Sequence, residues 1–150
     1  MAIRLASVGP QTERADTIGV AWLAVARRIL TEGAESRYDG LPVREISLVT
    51  LVVDHPGPAD EIIATHAEPE RLAWMHANFT EHAAVAALGD ADSIDFGTKG
   101  YGNLVELASL QQHVAGQLAR PTRRLLMIIK SAHVYESERA YLRDILEGYR

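Results

Sequence analysis

RRLLMIIKSAHVYE, residues 123–136, is the stretch that decides the fold of this chain. Its centre, residues 125–129, is an unbroken apolar run, typical of a strand that lies inside a sheet and is covered on both faces. If the strand continues to Tyr135, the period of two places Ser131, His133 and Tyr135 on one face. Two interpretations stay open: the strand leaves the core for solvent, or its end lines a polar pocket of the kind that open α/β sheets use to bind ligands.

Length and composition predict one folded domain over residues 1–150. The chain is 47% hydrophobic and 23% charged, which fits a globular protein and excludes a disordered one. It contains no apolar stretch of about 18 residues, so no membrane partner is expected. The absence of cysteine fits the cytoplasm and removes every thiolate mechanism. The net charge of −5 argues against a nucleic-acid partner.

Hydrophobic periodicity and capping residues divide the rest of the chain into further elements. The predicted elements are an irregular segment 1–16, a helix over 17–32, a strand over 43–53, a mostly buried helix opened by Pro69, a helical piece 81–88, a loop over 90–102, a helix over 103–119 and a terminal helix over 136–147. Residues 59–67 are too short a segment to assign. This order predicts an α/β (α+β) fold with a mixed sheet covered by helices.

Common catalytic and metal-binding motifs are missing from the chain. His76 and His82 are six residues apart, and no two histidines have the i, i+4 spacing that places two ligands on one helical face. No metal site is therefore expected. The chain also lacks a GxSxG elbow, a Walker A loop and a dinucleotide GxGxxG.

Polar residues that remain fall into three motifs in a fixed order: Ser93-x-Asp95, then Asn103 at a helix start, then His133-x-Tyr135 at a strand end. In this order and spacing the chain resembles the thymidylate synthase and pyrimidine-nucleotide (dCMP, CMP) hydroxymethylase family. The resemblance also takes in the first helix and the ERLAWM segment before the motifs. It implies a thymidylate synthase-like fold in a truncated form.

Site roles follow from this resemblance, residue by residue. Ser93 resembles the hydroxyl that contacts the nucleotide phosphate, and Arg37 resembles the phosphate arginine that follows the first helix. Asp95 and Asn103 resemble the pair at the pyrimidine edge, where a side-chain amide offers both a donor and an acceptor. The two residues of the His-x-Tyr motif resemble the contacts to the ribose hydroxyls. A folate cofactor is implied by the resemblance alone, and the sequence leaves the cofactor unknown.

The chain departs from the family where the family carries out its chemistry. The segment that holds the nucleophilic cysteine is missing between Gly89 and Ser93. Asp92 stands where the family has a phosphate arginine, and Arg71 stands at the position of its catalytic glutamate. Because the family reaction needs a thiolate to add to the pyrimidine ring, we expect no ordinary methyl or hydroxymethyl transfer. Any catalysis would be a transferase-like activity on a pyrimidine nucleotide that does not use cysteine.

Two functions are compatible with these motifs, and a purely structural remnant without either function is the third alternative. The first is a shortened family member that binds a pyrimidine nucleotide or nucleoside. The second is a non-catalytic dimerisation or regulatory partner of a full-length relative. In either case we expect a homodimer, because the predicted helices cover only part of the sheet and a second copy would cover the remaining face.

Overall fold

The computed structural model describes residues 11–80 and 93–149 of the chain, and the predicted mixed α/β fold is confirmed there. The strands are β1 Gln11–Ala15, β2 Ala34–Tyr38, β3 Leu41–Val53, β4 Ser93–Asp95 and β5 Leu125–Tyr135. The helices are α1 Ile18–Glu32, α2 Glu61–His66, α3 Pro69–Thr80, α4 Gly100–Gln117 and α5 Arg139–Gly148, with a short 3-10 turn at Glu136–Glu138 before α5. The predicted helical piece at 81–88 lies outside the described residues.

All of these strands belong to one mixed sheet with the order β1, β3, β5, β4. β1 runs parallel to β3, and β4 runs parallel to β5, whereas β3 and β5 are antiparallel. β2 forms an antiparallel hairpin with the first half of β3. β5 therefore lies inside the sheet, as predicted, and the strands predicted at 43–53 and 125–135 are hydrogen-bonded neighbours.

Helix α1 forms most of the contact between the sheet and the helices, packing across β1, β3 and β5. Thr17 caps its first turn by accepting a hydrogen bond from the amide of Val20. Ile18, Trp22 and Ile29 follow the predicted helical spacing and are fully buried. Burial of each such side chain stabilises the fold by about 1.5–3 kcal/mol. The remaining helices pack around α1, with α4 contacting both α1 and α3.

The central strands change the face that they present to the core. Leu125, Met127 and Ile129 pack with the core in the first half of β5, whereas Ala132 and Val134 do so in the second half. The same change occurs in the neighbouring β3, where Leu48 has a φ of 55°. A left-handed residue interrupts the period of two, because the backbone turns there instead of alternating. Strict alternation from Ile129 would have placed residues 131, 133 and 135 on the core face.

One expectation about burial is wrong. Residues 125–129 were predicted to be covered on both faces, but Leu126 is 60% exposed and Ile128 is 72% exposed. An unbroken apolar run is the pattern expected of a strand buried on both faces, but no described helix covers that face of the first half of β5. Trp74, predicted to be in the core, is also 67% exposed on α3.

Four boundaries also differ from the predictions. Residues 11–15, expected to be irregular, form β1 and pair with β3. Ser93–Asp95, expected to be part of a loop, forms β4, which is too short to show a periodic pattern. Helix α4 begins at Gly100 rather than Asn103, and residues 136–138 form a 3-10 turn before α5. These differences matter because β4 brings Ser93 and Asp95 into the sheet beside β5.

Candidate functional site

A polar cluster lies where β4 meets the second half of β5. The parallel register pairs Ser93 with Ser131 and Asp95 with His133, while Ile94 and Ala132 face the core. Ser93 Oγ donates to Ser131 Oγ over 3.1 Å and lies 2.8 Å from His133 Nδ1. Because a serine hydroxyl has a single proton to donate, this network favours His133 donating from Nδ1 to Ser93. The remaining ring nitrogen of His133, Nε2, is then an acceptor.

Aromatic rings surround His133 on two sides. Tyr38, at the end of β2, stacks on the imidazole with ring centroids 4.5 Å apart and an interplanar angle of 27°. Tyr135 meets it edge to face at 5.1 Å and 89°. The short turn of Asp39 and Gly40, whose φ values are 50° and 78°, holds Tyr38 in this position. His133 is consequently only 2% exposed, and burial lowers its pKa so that the neutral ring is favoured.

A pair of carboxyl groups lies beside this ring system. Asp95 Oδ1 accepts from the amide of Gly97 over 2.8 Å, and Glu138 Oε1 accepts from Thr98 Oγ1 over 2.7 Å. Both carboxyl groups lie close to Gly97, since a Cβ built there would be 1.7 Å from Glu138 Oε2 and 2.9 Å from Asp95 Oδ1. Only glycine leaves room for the second carboxyl group at this position.

Charge in the cluster is distributed unevenly. Burial raises the pKa of Asp95, and burial together with the neighbouring Asp95 carboxylate raises the pKa of Glu138. The two groups therefore favour sharing a proton. Lys99 is the nearby cation, with its Nζ 3.9 Å from Asp95 Oδ2 and 5.9 Å from the ring centre of Tyr135. At 3.9 Å the ammonium is too far for a hydrogen bond to that oxygen.

Three buried polar atoms of the cluster have no hydrogen-bond partner among the described residues. They are His133 Nε2, Asp95 Oδ2 and Glu138 Oε2, and a proton shared between the two carboxyl groups would serve the last two atoms. A buried polar group without a partner costs roughly 1–3 kcal/mol, so such atoms are uncommon in a region that serves only the core. Their concentration in one cluster marks it as the candidate binding site of the described chain.

Helix α1 and the start of α4 fix the loop that carries the cluster. Trp22 donates from its indole Nε1 to the carbonyl of Phe96 over 2.8 Å, inside the core. Tyr101 packs edge to face on the same indole at 5.1 Å, and its hydroxyl accepts from the amide of Glu68. The loop from Phe96 to Lys99 is thus anchored at both ends, and it holds Asp95 and Lys99 next to β5.

Four of the six residues predicted for the site come together in the structure. Ser93 contacts His133 directly, and Tyr135 contacts His133 ring to edge. Asp95 pairs with His133 in the strand register, and Lys99 lies near both the Asp95 carboxylate and the Tyr135 ring. Asn103 lies in the first turn of α4, half-buried, and no hydrogen bond described for the cluster involves it.

Arg37 is placed apart from the cluster. Its Nη1 donates to the carbonyl of Gly40 across the hairpin turn, and the residue lines an open cleft of about 480 Å³ together with Glu136 and Arg139. Its position in β2 next to Tyr38 directs it toward this cleft, because neighbouring residues of a strand face opposite sides.

Sequence reasoning missed Tyr38, Lys99 and Glu138. The dipeptide Asp39-Gly40 is a hairpin signal that could have placed Tyr38 near the second half of β5. Lys99 lies in a glycine-rich loop without periodicity, and Glu138 reaches the cluster from beyond the end of β5. No local pattern marks either residue.

In comparisons with known proteins, no family model and no curated sequence matches the chain. Nothing in these comparisons bears on the resemblance to the thymidylate synthase family. Within the described ranges, no group of three or more histidine, aspartate or glutamate side chains has an arrangement that would hold a metal ion. None of the helices described here has the length and apolar character needed to cross a bilayer.

Proposed function

We propose that the polar cluster of β4 and β5 binds a pyrimidine nucleoside or nucleotide and that the chain does not carry out thiolate-dependent methyl or hydroxymethyl transfer. The observation that carries this proposal is the set of buried polar atoms without partners beside the ring of Tyr135, in a cluster that Tyr38 closes on one side. A ligand with a flat base and a hydroxylated sugar would satisfy both features. Such pockets combine apolar or aromatic walls with a few convergent polar groups.

Individual groups have chemistry that suits this ligand. His133 Nε2, as a neutral acceptor, suits a sugar hydroxyl, which would donate to it. The Asp95 carboxyl group suits the N–H groups of a base edge, and Tyr135 supplies both a ring and a phenol hydroxyl. A folate or any other cofactor has no support beyond the family resemblance.

The chain contains no cysteine, and this supports the absence of the transfer reaction. Serine, histidine and carboxylate are far weaker nucleophiles toward a pyrimidine ring than a thiolate at neutral pH. Release of tritium from ring-labelled dUMP at a rate typical of a thymidylate synthase would overturn this half of the proposal. The lack of cysteine also supports a cytoplasmic location.

Isothermal titration calorimetry tests the binding half. We expect uridine, cytidine, thymidine or one of their monophosphates to bind, and Ser93→Ala to weaken binding about tenfold through loss of the hydroxyl that orients His133. His55→Ala serves as a control, because this exposed histidine lies just beyond the C-terminal end of β3 and pairs with Asp16 there. Absence of binding by all of these compounds would contradict the proposal.

Self-association is a second candidate function, favoured by the exposed face of β5. Leu126 and Ile128 project from a strand inside the sheet, where no described helix covers them. A second copy related by a two-fold axis would bring the same apolar row against itself, which is the commonest arrangement of soluble oligomers. A full-length relative could cover the same row in the regulatory alternative.

Sedimentation velocity at micromolar concentration tests this candidate. We expect a dimer for the natural chain and a monomer for Ile128→Lys, since a charge on the covered face would be buried without a partner. Leu118→Lys is the matched control, because it places the same charge on a different exposed aliphatic side chain, at the end of α4. A monomer for the natural chain would contradict self-association.

A further inference from the structure

We propose that the cluster selects an uncharged pyrimidine nucleoside over its phosphate monoesters, and that Glu45 and Lys99 set this preference in opposite directions. This inference rests on the proposed function. It concerns the charge of the ligand, which neither the motif order nor the resemblance decides. The resemblance alone implies a phosphate contact at Ser93 and Arg37.

The first observation is that Ser93 and Arg37 are both engaged elsewhere. The hydroxyl of Ser93 lies between Ser131 Oγ and His133 Nδ1, so its single proton is already donated inside the cluster. The guanidinium of Arg37 donates to the carbonyl of Gly40 and lines the separate cleft. A phosphate at the cluster would therefore lack both of the expected contacts.

The second observation is that nearby arginines already have carboxylate partners. Arg71 pairs with Glu68 over 3.2 Å, and Arg139 pairs with Glu136. Phosphate recognition relies on arginine forks, lysines or a helix N-terminus. At the cluster itself Lys99 is the cation next to the carboxyl groups, and it is shared with Asp95. Arg139, whose buried Nε has no partner among the described residues, lines the separate cleft with Arg37.

The third observation is the excess of carboxyl groups that face the rings. The charges that act on His133 are those of Asp39, Glu45, Glu138 and Lys99, and only Lys99 is positive. Asp95, Asp39 and Glu138 act in the same way on Tyr135. Even when one proton is shared between Asp95 and Glu138, three negative charges remain in this group, against the positive charge of Lys99 and that of Arg71, which is itself paired with Glu68. A dianionic phosphate within the Debye length of about 8 Å would be repelled.

An acidic cluster alone would not indicate a binding site, but unpartnered buried atoms do. His133 is almost fully buried with Nε2 unpartnered, and Asp95, which is 6% exposed, has Oδ2 unpartnered. His133 Nε2 is the clear acceptor, so it calls for a ligand that brings an N–H or O–H donor, whereas the Asp95 carboxyl group is already served in part by the proton it shares with Glu138. A nucleoside has such donors on its base and its sugar hydroxyls, whereas a phosphate oxygen adds only acceptors.

Titration calorimetry at pH 7.5 with uridine, cytidine, thymidine and the 5′-monophosphate of each tests the inference. We expect the preferred nucleoside to bind about tenfold more tightly than its monophosphate. Glu45→Gln removes one negative charge next to His133 and should lower the ratio of nucleoside affinity to monophosphate affinity about threefold. Lys99→Gln removes the cation and should raise the same affinity ratio by a similar factor. Glu61→Gln, on the exposed first turn of α2, should leave the ratio unchanged.

The outcomes separate the inference from the proposed function. If a monophosphate binds as tightly as its nucleoside or more tightly, the inference is wrong and the binding function stands. If neither kind of compound binds, the proposed function itself fails. If the ratio is about tenfold but both charge variants leave it unchanged, the roles assigned to Glu45 and Lys99 are wrong. Thermal unfolding of each variant confirms that the folded protein is being compared.

Discussion

Tyr38 is stacked on the imidazole of His133, with the two ring centroids 4.5 Å apart. This single contact closes the cluster on the side of the β2–β3 hairpin, because β2 is otherwise exposed along its length. In the proposed binding mode, a ligand reaches His133 by displacing Tyr38 from the imidazole ring. The hairpin turn at Asp39 and Gly40 lies directly next to Tyr38, so this displacement requires a change only at the end of the hairpin.

Replacement of Tyr38 by alanine is therefore expected to strengthen ligand binding. An aromatic pair contributes about 0.5–1.5 kcal/mol beyond its area, so the nucleoside affinity should rise by about two- to tenfold. Calorimetry measures the change. Tyr149→Ala is a matched control, since Tyr149 packs edge to face on another histidine, His66. Weaker binding by Tyr38→Ala would instead mean that Tyr38 stacks on the ligand itself.

Gly97→Ala is expected to destabilise the fold by about 1 kcal/mol, because its Cβ would lie 1.7 Å from Glu138 Oε2, and the Glu138 side chain would have to move and give up its hydrogen bond with Thr98. Urea unfolding measures this loss. Adding Glu138→Ala should recover much of it, since the two changes concern the same contact and are not additive. Gly116→Ala is the control: nothing lies within 4 Å of its Cβ, and alanine favours a helix. A Gly97→Ala variant as stable as the natural chain would contradict the crowding.

Trp22→Phe is expected to cost about 1–3 kcal/mol of unfolding free energy, because the buried carbonyl of Phe96 would lose its donor at 2.8 Å. Ligand binding should weaken as well, since this bond anchors the loop that carries Lys99. In Trp22→Phe, the remaining Trp74 provides the fluorescence signal. Trp74→Phe is the control, because this exposed side chain should change stability by less than about 0.5 kcal/mol when replaced. Equal stability of the two variants would rule out the anchoring role.

Glu106 on α4 predicts a dependence of stability on pH. Burial raises the pKa of Glu106 from 4.5 to about 7. Because the folded-state pKa lies above the unfolded value, this contribution to stability is fully present below pH 4.5 and is lost as the pH rises through about 7. For a half-buried side chain, screened in part by solvent, the loss is about 1 kcal/mol.

Urea unfolding of the natural chain and Glu106→Gln at pH 5 and pH 8 measures this effect. We expect the natural chain to lose about 1 kcal/mol more than the variant over that interval, since glutamine does not ionise. Glu35→Gln, an exposed residue of β2, should behave like the natural chain. An identical pH dependence in Glu106→Gln would show that Glu106 titrates normally in the folded state.

Prediction from the sequence succeeded where a pattern is long. The spacing of Ile18, Trp22 and Ile29 predicted α1 within one residue, and the run before Ser131 predicted β5 with its correct bounds. The shared face of His133 and Tyr135 was also predicted, because a period of two over five residues fixes their relation to each other.

Other features depend on contacts that local sequence does not contain. β4 is three residues long and is a strand only because β5 offers it a partner. Glu138 reaches Asp95 from a separate element, so the pair exists only in the folded chain. The exposure of Leu126 and Ile128 depends on where the helices lie, and an apolar residue carries no information on that.

The left-handed residue at Leu48 and the matching change of face in β5 separate two kinds of evolutionary constraint along the same strands. In one half, a substitution at Ile129 or Val49 would disturb the packing of α1. In the other half, residues 131, 133 and 135 point away from that packing. If the polar half binds a ligand as proposed, changes of ligand preference can accumulate there without repacking the core, so the fold and its specificity can diverge at different rates.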